Sequence, residues 1–117
     1  MPSFEVILTT HGRAVVADIR GYFNDEAGRH LQERLKPLLK KGSNRILLDF
    51  SRCEVINSPG VAGLLETAVE VIEDHRGMLV LCGLQETSQN ILQMAGLFIY
   101  ATATADRTTG LAALEKT

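Results

Sequence analysis

The residues best placed to do chemistry form a short polar stretch, Asn57-Ser58-Pro59-Gly60, which separates an apolar pair from an apolar helical stripe. Serine is a preferred N-cap residue and proline is favoured at the first helical position, so the pattern predicts that Ser58 caps a helix that Pro59 begins. The hydroxyl would then lie at the positive end of that helix, where a phosphate in its place is stabilised. Two interpretations stand on these residues alone: a phosphorylation site, or a serine that only caps the helix.

No catalytic machinery is recognisable in the rest of the sequence. His11, His30 and His75 are far apart, and none has metal-ligand spacing to another histidine or to a cysteine. Asp49 falls at the predicted end of a buried strand, where ligands bind in open α/β sheets, but no second acid or base accompanies it. We interpret Asp49 as a structural turn carboxylate, and we predict no catalytic residue, no metal site and no cofactor.

The composition is that of an ordinary globular domain. The chain has 117 residues, of which 45% are hydrophobic and 22% charged, with a formal net charge of −2. These values predict one domain over residues 1–117, and the slight acidity and few aromatic residues argue against nucleic-acid binding. The apolar runs are far shorter than the ~20 residues of a membrane span, and the N-terminus lacks a signal-peptide pattern. We therefore expect a cytoplasmic protein without membrane insertion, with Cys53 and Cys82 as reduced thiols in apolar surroundings.

The first half of the chain predicts a hairpin, a helix and a buried strand. Two alternating apolar runs on either side of residues 11–13 predict the hairpin, and Gly21 is predicted to end its second strand. Asn24, followed by two acidic residues, predicts a helix start, and Pro37 inside that helix predicts a kink or a weakened turn. The apolar run at residues 45–50 predicts the strand that follows.

The second half predicts three more helices and two more strands. The helix after Ser58 is followed by a buried strand at 78–82, a helix at 85–95 with Ile91, Leu92 and Ala95 facing inward, and a short strand at 97–101. Thr108 and Thr109 are predicted to cap the last helix. The order β-β-α-β-α-β-α-β-α predicts an α/β domain with an open mixed sheet and about four helices. The predicted core comprises Leu31, Leu35, Leu48, Leu64, Leu65, Ala68, Ile72, Leu79, Leu81 and Ile91.

Two patches of the sequence resemble a known family. The residues Ile46-Leu47-Leu48-Asp49-Phe50-Ser51, followed by Val55-Ile56-Asn57-Ser58-Pro59-Gly60-Val61, resemble the signature of STAS domains, the module of bacterial anti-sigma-factor antagonists. Met94-Ala95-Gly96-Leu97-Phe98 resembles a second patch of that family, at the end of its third helix. With the element order and the length, the resemblance covers essentially the whole chain.

The resemblance implies a switch rather than an enzyme. In such antagonists, an anti-sigma factor with serine-kinase activity binds the unmodified antagonist and so releases a sigma factor. The kinase then phosphorylates the serine immediately after the aspartate of the motif, which weakens the complex, and a phosphatase resets the switch. By position, the phosphoacceptor is Ser58, and the partner-binding loop comprises Asn57, Ser58, Pro59 and Gly60.

Two departures from the family motif keep other functions open. Asn57 stands where the family has aspartate, and Pro59 stands where it has serine or threonine. One alternative is a STAS interaction subunit without phosphorylation, in a signalling assembly or a lipid-transport ABC system, and another is an enzyme or small-ligand binder. A weak homodimer is also left open. The acidic side of the second helix is either solvated surface or a means of steering a basic partner, and it comprises Glu66, Glu70, Glu73 and Asp74.

Overall fold

A β-hairpin opens the chain in the computed structural model, which describes residues 3–116. Strand β1 (Phe4–His11) pairs antiparallel with strand β2 (Ala14–Phe23), as predicted. The prediction that Gly21 ends β2 was wrong, because the strand continues to Phe23. Gly21 has a φ of +81°, and a Cβ there would lie 2.3 Å from the Ser3 carbonyl oxygen. This glycine therefore allows the start of the chain to approach β2 closely rather than ending the strand.

Three further strands complete a five-stranded sheet in the order β1-β2-β3-β4-β5. They are β3 (Arg45–Ile56), β4 (Met78–Cys82) and β5 (Thr102–Thr104), and β2 to β5 run parallel to one another. Strand β3 extends to Ile56 instead of ending at Phe50, because its second half continues to pair with β2, where Phe23 lies opposite Ile56. The ends of β2 and β3 therefore lie together where the second helix begins.

Four helices connect or follow the parallel strands. They are α1 (Asp25–Lys40), α2 (Ser58–Val69), α3 (Glu86–Met94) and α4 (Arg107–Glu115), and a π-helical turn (Glu70–Asp74) extends α2. Asn24 caps α1 as predicted, since its side chain accepts a hydrogen bond from the Ala27 amide at 2.9 Å. Helix α1 continues past the exposed Pro37 to Lys40. Within residues 3–116, none of these helices has the length and apolar character needed to cross a membrane.

The region after α3 differs from the prediction in two places. Residues 97–101 do not form a strand: Leu97–Ile99 is one turn of 3₁₀-helix after Gly96, and β5 begins only at Thr102. Asp106, and neither Thr108 nor Thr109, caps α4, because its side chain accepts the Thr109 amide at 2.8 Å. Aspartate ranks above threonine at the N-cap, so local preference in fact favours Asp106 over the two threonines.

The core lies mainly between one face of the sheet and α1 to α3, with a smaller apolar cluster beneath α4. Of the predicted core residues, Leu65 and Ile72 are only partly buried. The prediction that Ile91 is buried was wrong, because 44% of its surface is exposed. Of the three α3 residues predicted to face inward, Leu92 is buried, whereas Ala95 is exposed like Ile91. The predicted residues that are buried are Leu31, Leu35, Leu48, Leu64, Ala68, Leu79 and Leu81.

Candidate functional site

The polar stretch at residues 57–60, called here the 57–60 turn, joins the end of β3 to the first turn of α2. Asn57 has an extended backbone, and its side-chain oxygen accepts a hydrogen bond from the Gly60 amide at 2.9 Å. The N-cap is therefore Asn57, and the prediction that Ser58 caps the helix was wrong. Ser58 and Pro59 occupy the first two helical positions instead. Asparagine and serine are equally good caps, so two adjacent candidates were indistinguishable in the sequence.

This shift by one residue leaves the Ser58 hydroxyl free of a capping role. Ser58 is exposed, and none of the side-chain hydrogen bonds found within residues 3–116 involves its hydroxyl. The first amides of a helix have no intrahelical acceptor, and they give that end of the helix a partial positive charge. A phosphate on Ser58 would therefore lie at a favourable helix end, and the cap made by Asn57 would stay in place.

Gly60 anchors the 57–60 turn to the end of β2. The Asn57 amide donates a hydrogen bond to the Phe23 carbonyl oxygen at 3.1 Å. Gly60 is buried against the same carbonyl, and a Cβ on Gly60 would lie only 2.2 Å from that oxygen. Gly60 therefore positions the turn and offers no surface to a partner, whereas Ser58 and Pro59 are exposed.

A second glycine contact sets how α2 lies on α1. A Cβ on Gly63 would lie 3.1 Å from the Gly28 Cα, and a Cβ on Gly28 would lie 3.3 Å from the Gly63 Cα. The two helices cross at this point with their backbones in near contact. The small residues at 60 and 63 thus hold α2 against both β2 and α1.

The exposed side of α2 continues from Ser58 as a stripe. Ser58, Ala62 and Glu66 follow one another at intervals of four residues, so they lie on one face of the helix, and all three are exposed. A groove of about 320 Å³ runs beside this stripe, between α1 and α2, and Arg29 lines its α1 side. The side chain of Arg29 pairs with Asp25 at 3.2 Å. Together these residues form a continuous surface that starts at the phosphoacceptor candidate.

The acidic residues predicted on the polar side of α2 are not equivalent in the structure. Glu66, Glu73 and Asp74 are exposed. Glu70 is mostly buried, and its carboxylate lies 3.6 Å from the Lys36 ammonium group on α1. Glu70 therefore links the two helices, and only the other three carboxylates are available to a partner.

Asp49 belongs to a separate polar cluster beside α4. The Ser51 amide donates to one Asp49 carboxylate oxygen at 2.9 Å, and the Arg107 Nε donates to the other at 2.8 Å. Burial alone raises the pKa of Asp49, but the hydrogen bonds from Ser51 and Arg107 outweigh burial and hold the pKa below its ordinary value. Such a carboxylate stays ionised and paired, which fits the structural role predicted for it. No sequence signal pointed to Arg107, since it lies far along the chain from Asp49.

The cysteines and histidines show no sign of a reactive site. Cys53 and Cys82 are both buried free thiols. Burial raises the pKa of Cys53 to about 11 and that of Cys82 to about 12, so both stay protonated near neutral pH. His30 packs against the Phe4 ring, with 5.6 Å between ring centres. Among residues 3–116, no three histidine, cysteine or acidic side chains come together as a metal site would require.

Comparison with known proteins places these features in a family. The STAS domain family model matches residues 5–114. A Bordetella bronchiseptica protein named as an anti-sigma factor antagonist, BtrV, is 28% identical over 82 residues, which is 70% of each chain. Both sequence patches that carry the resemblance, at residues 46–61 and 94–98, lie within residues 5–114, which the family model matches.

Solved structures share the fold. An anti-sigma factor antagonist from Mycobacterium paratuberculosis has a TM-score of 0.82 at 15% identity, covering 97% of this chain and 96% of that one. The antagonist SpoIIAA in its unphosphorylated form has a TM-score of 0.74 at 18% identity, covering 98% of this chain and 100% of that one. Its phosphorylated form from Bacillus has a TM-score of 0.65 at 20% identity, covering 89% and 93%. With the five-stranded mixed sheet, the four helices and the family match over nearly its full length, the chain belongs to the STAS domain family.

Proposed function

We propose that this protein is an anti-sigma-factor antagonist switched by phosphorylation of Ser58. In this proposal the unmodified protein binds an anti-sigma factor that is also a serine kinase, and the captured partner releases its sigma factor. The kinase then transfers a phosphoryl group to Ser58, the complex weakens, and a phosphatase restores the serine. The protein itself acts as a cytoplasmic binding module and not as an enzyme.

The observation that carries the proposal is the position of Ser58 in the family's signature loop. Its hydroxyl is exposed at the first position of α2, and Asn57 makes the capping hydrogen bond that a serine there would otherwise make. A kinase can therefore modify the hydroxyl without removing a contact that holds the fold. The relatives support the same reading, since they include named anti-sigma factor antagonists and SpoIIAA has been solved in a phosphorylated form.

The charge of the phosphate explains why modification would weaken binding. A phosphoserine carries about −1.5 to −2 charges near neutral pH, and this charge must be desolvated or repelled when a partner docks on the turn. Each ~1.4 kcal/mol lost weakens binding tenfold. The helix dipole offers only about 0.3–1 kcal/mol to an exposed anion, and it stabilises the free protein as well as the complex.

The test first searches the neighbourhood of this protein's gene for a kinase-type anti-sigma factor and then uses that protein as the partner. We expect incubation with that kinase and ATP to place phosphate on Ser58, as shown by phosphopeptide mapping. Ser58→Ala should bind the kinase and stay bound in the presence of ATP, and Ser58→Asp should bind at least about tenfold more weakly by titration calorimetry. Thr108→Asp is the matched control, because it adds a carboxylate at an exposed position in the first turn of α4.

The outcomes separate the switch from a plain binding module. Phosphate on a different residue, or Ser58→Asp binding as tightly as the unmodified protein, would exclude the switch at Ser58. If the protein binds its partner but is never phosphorylated, the function is that of an interaction subunit in a signalling or transport assembly. Binding without phosphorylation is the main alternative to the switch, because Asn57 and Pro59 depart from the family motif beside Ser58.

A further inference from the structure

The free edge of β1 is a second surface with its own recognition chemistry. Strand β1 is eight residues long and, among residues 3–116, pairs only with β2, so no strand of the described chain covers its other edge. The Arg34 side chain donates a hydrogen bond to the Val6 carbonyl oxygen at 3.3 Å, which shows that this carbonyl points away from β2. The Tyr22 amide bonds to the Ser3 carbonyl oxygen at 2.9 Å, which places the odd-numbered residues on the inner edge.

The alternation of an antiparallel ladder extends this assignment along the strand. Residues two apart direct their backbone groups to the same side, so Leu8 and Thr10 direct their N–H and C=O groups outward with Val6. Arg34 covers the Val6 position, but no backbone hydrogen bond outside the sheet ladder involves Leu8 or Thr10 in the described chain. These two residues present a donor and acceptor pattern that an extended peptide can pair with.

A groove of about 700 Å³ lies beside this edge, between β1 and the second half of α1. Its apolar lining includes Leu8, Pro37 and Leu38, and the charged residues among the described part of its lining are Arg34 and Lys41. The groove is therefore an apolar surface with a positive rim, in a chain whose formal net charge is −2.

The positive charge of Arg34 and Lys41 favours an acidic partner segment over a second copy of this chain. Two copies of this chain paired through β1 would bring Arg34 and Lys41 of each copy near those of the other, and like charges in that arrangement repel. A peptide with acidic side chains next to apolar ones would place carboxylates by the two cations and apolar groups in the groove. We propose that β1 is a docking edge for an extended acidic and apolar segment of a second protein, which adds a strand to the sheet beside residues 8–10.

The test begins with a randomised library of eight-residue peptides selected against the full chain, followed by titration of the enriched peptides. We expect enriched sequences that alternate acidic and apolar residues. Thr10→Pro, which removes one outward N–H on an edge strand where proline is tolerated, should weaken binding at least about tenfold, and Thr10→Val should not change it. Lys41→Glu should weaken binding at least about fivefold near 50 mM salt and less at high salt, and Arg52→Glu, an exposed cation on β3, should have no effect.

Amide hydrogen exchange locates the contact. In the free protein the amides of Leu8 and Thr10 should exchange faster than those of Ile7 and Thr9, and bound peptide should slow Leu8 and Thr10 selectively. A library that enriches no sequence, or peptides that bind without this protection, would overturn the proposal. Protection that appears in concentrated protein without peptide would assign the edge to a homodimer and would equally overturn it. Because none of these variants alters the 57–60 turn, the result does not depend on the switch at Ser58.

Discussion

Adding one methyl group at Gly60 should destabilise the protein, although helix propensity alone predicts the opposite. Gly60 lies in the first turn of α2, where alanine is preferred over glycine by up to about 1 kcal/mol. In the structure, a Cβ at this position would lie 2.2 Å from the Phe23 carbonyl oxygen and 3.0 Å from the Phe23 carbonyl carbon. The sign of the change in the free energy of unfolding therefore shows whether helix propensity or tertiary packing dominates at Gly60.

The magnitude follows from the displacement that the methyl group would require. Carbon and oxygen atoms in close contact are about 3.3 Å apart, so the start of α2 must move by about 1 Å from the end of β2. A shift of that size strains the packing, at a cost of about 1–3 kcal/mol, and stretches the hydrogen bond from the Asn57 amide to Phe23, worth about 1 kcal/mol. After the gain in helix propensity, Gly60→Ala should lower the free energy of unfolding by about 1–3 kcal/mol.

Urea denaturation monitored by circular dichroism measures this effect directly. The control is Ala62→Gly, an exposed position in the same helix, which should cost about 1 kcal/mol through propensity alone. A Gly60→Ala protein as stable as the parent, or more stable, would refute the argument that Gly60 is retained for the approach of α2 to Phe23. Partner binding by Gly60→Ala should weaken as well, because the displaced turn carries Ser58.

Three further predictions concern the core, the Asp49 cluster and the thiols. Leu48→Ala should lower the free energy of unfolding by about 2–5 kcal/mol in denaturant titration, since Leu48 is fully buried, and a loss below ~1 kcal/mol would contradict its place in the core. Arg107→Ala should destabilise the protein by about 1–3 kcal/mol near neutral pH. The lowered pKa of Asp49 means that its paired carboxylate stabilises the fold above its unfolded pKa, so this difference should shrink as denaturation is measured below about pH 4, and a constant difference would argue against the pairing. Cys53 and Cys82 should react with a thiol reagent near pH 8 only after unfolding in guanidinium chloride, and rapid labelling of the native protein would show that burial does not raise their pKa values.

Local patterns in the sequence were sufficient where one signal had no nearby competitor. The alternating runs predicted the β1–β2 hairpin, Asn24 with its acidic neighbours predicted the start of α1, and a short apolar run predicted β4 at residues 78–82. The order of the nine elements, and with it the mixed α/β sheet, could be predicted in the same way, although β5 lies at Thr102–Thr104 and not in the apolar run at 97–101 from which it was predicted. The family motif around Ser58 was also a property of the sequence.

Tertiary contacts decided the cases where neighbouring residues had similar local preferences or where the partner lay far along the chain. Asn57 rather than Ser58 caps α2 because the Asn57 amide is tied to Phe23, a contact between residues that no local window joins. Ile91 is exposed because α3 has a single residue, Leu92, directed fully into the core. The pairing of Asp49 with Arg107 likewise exists only once α4 has folded onto the sheet. The sequence alone thus determined which elements form and in what order, whereas packing between distant segments determined that Asn57 caps α2, that the Ser58 hydroxyl has no capping role, and which faces of the helices are exposed.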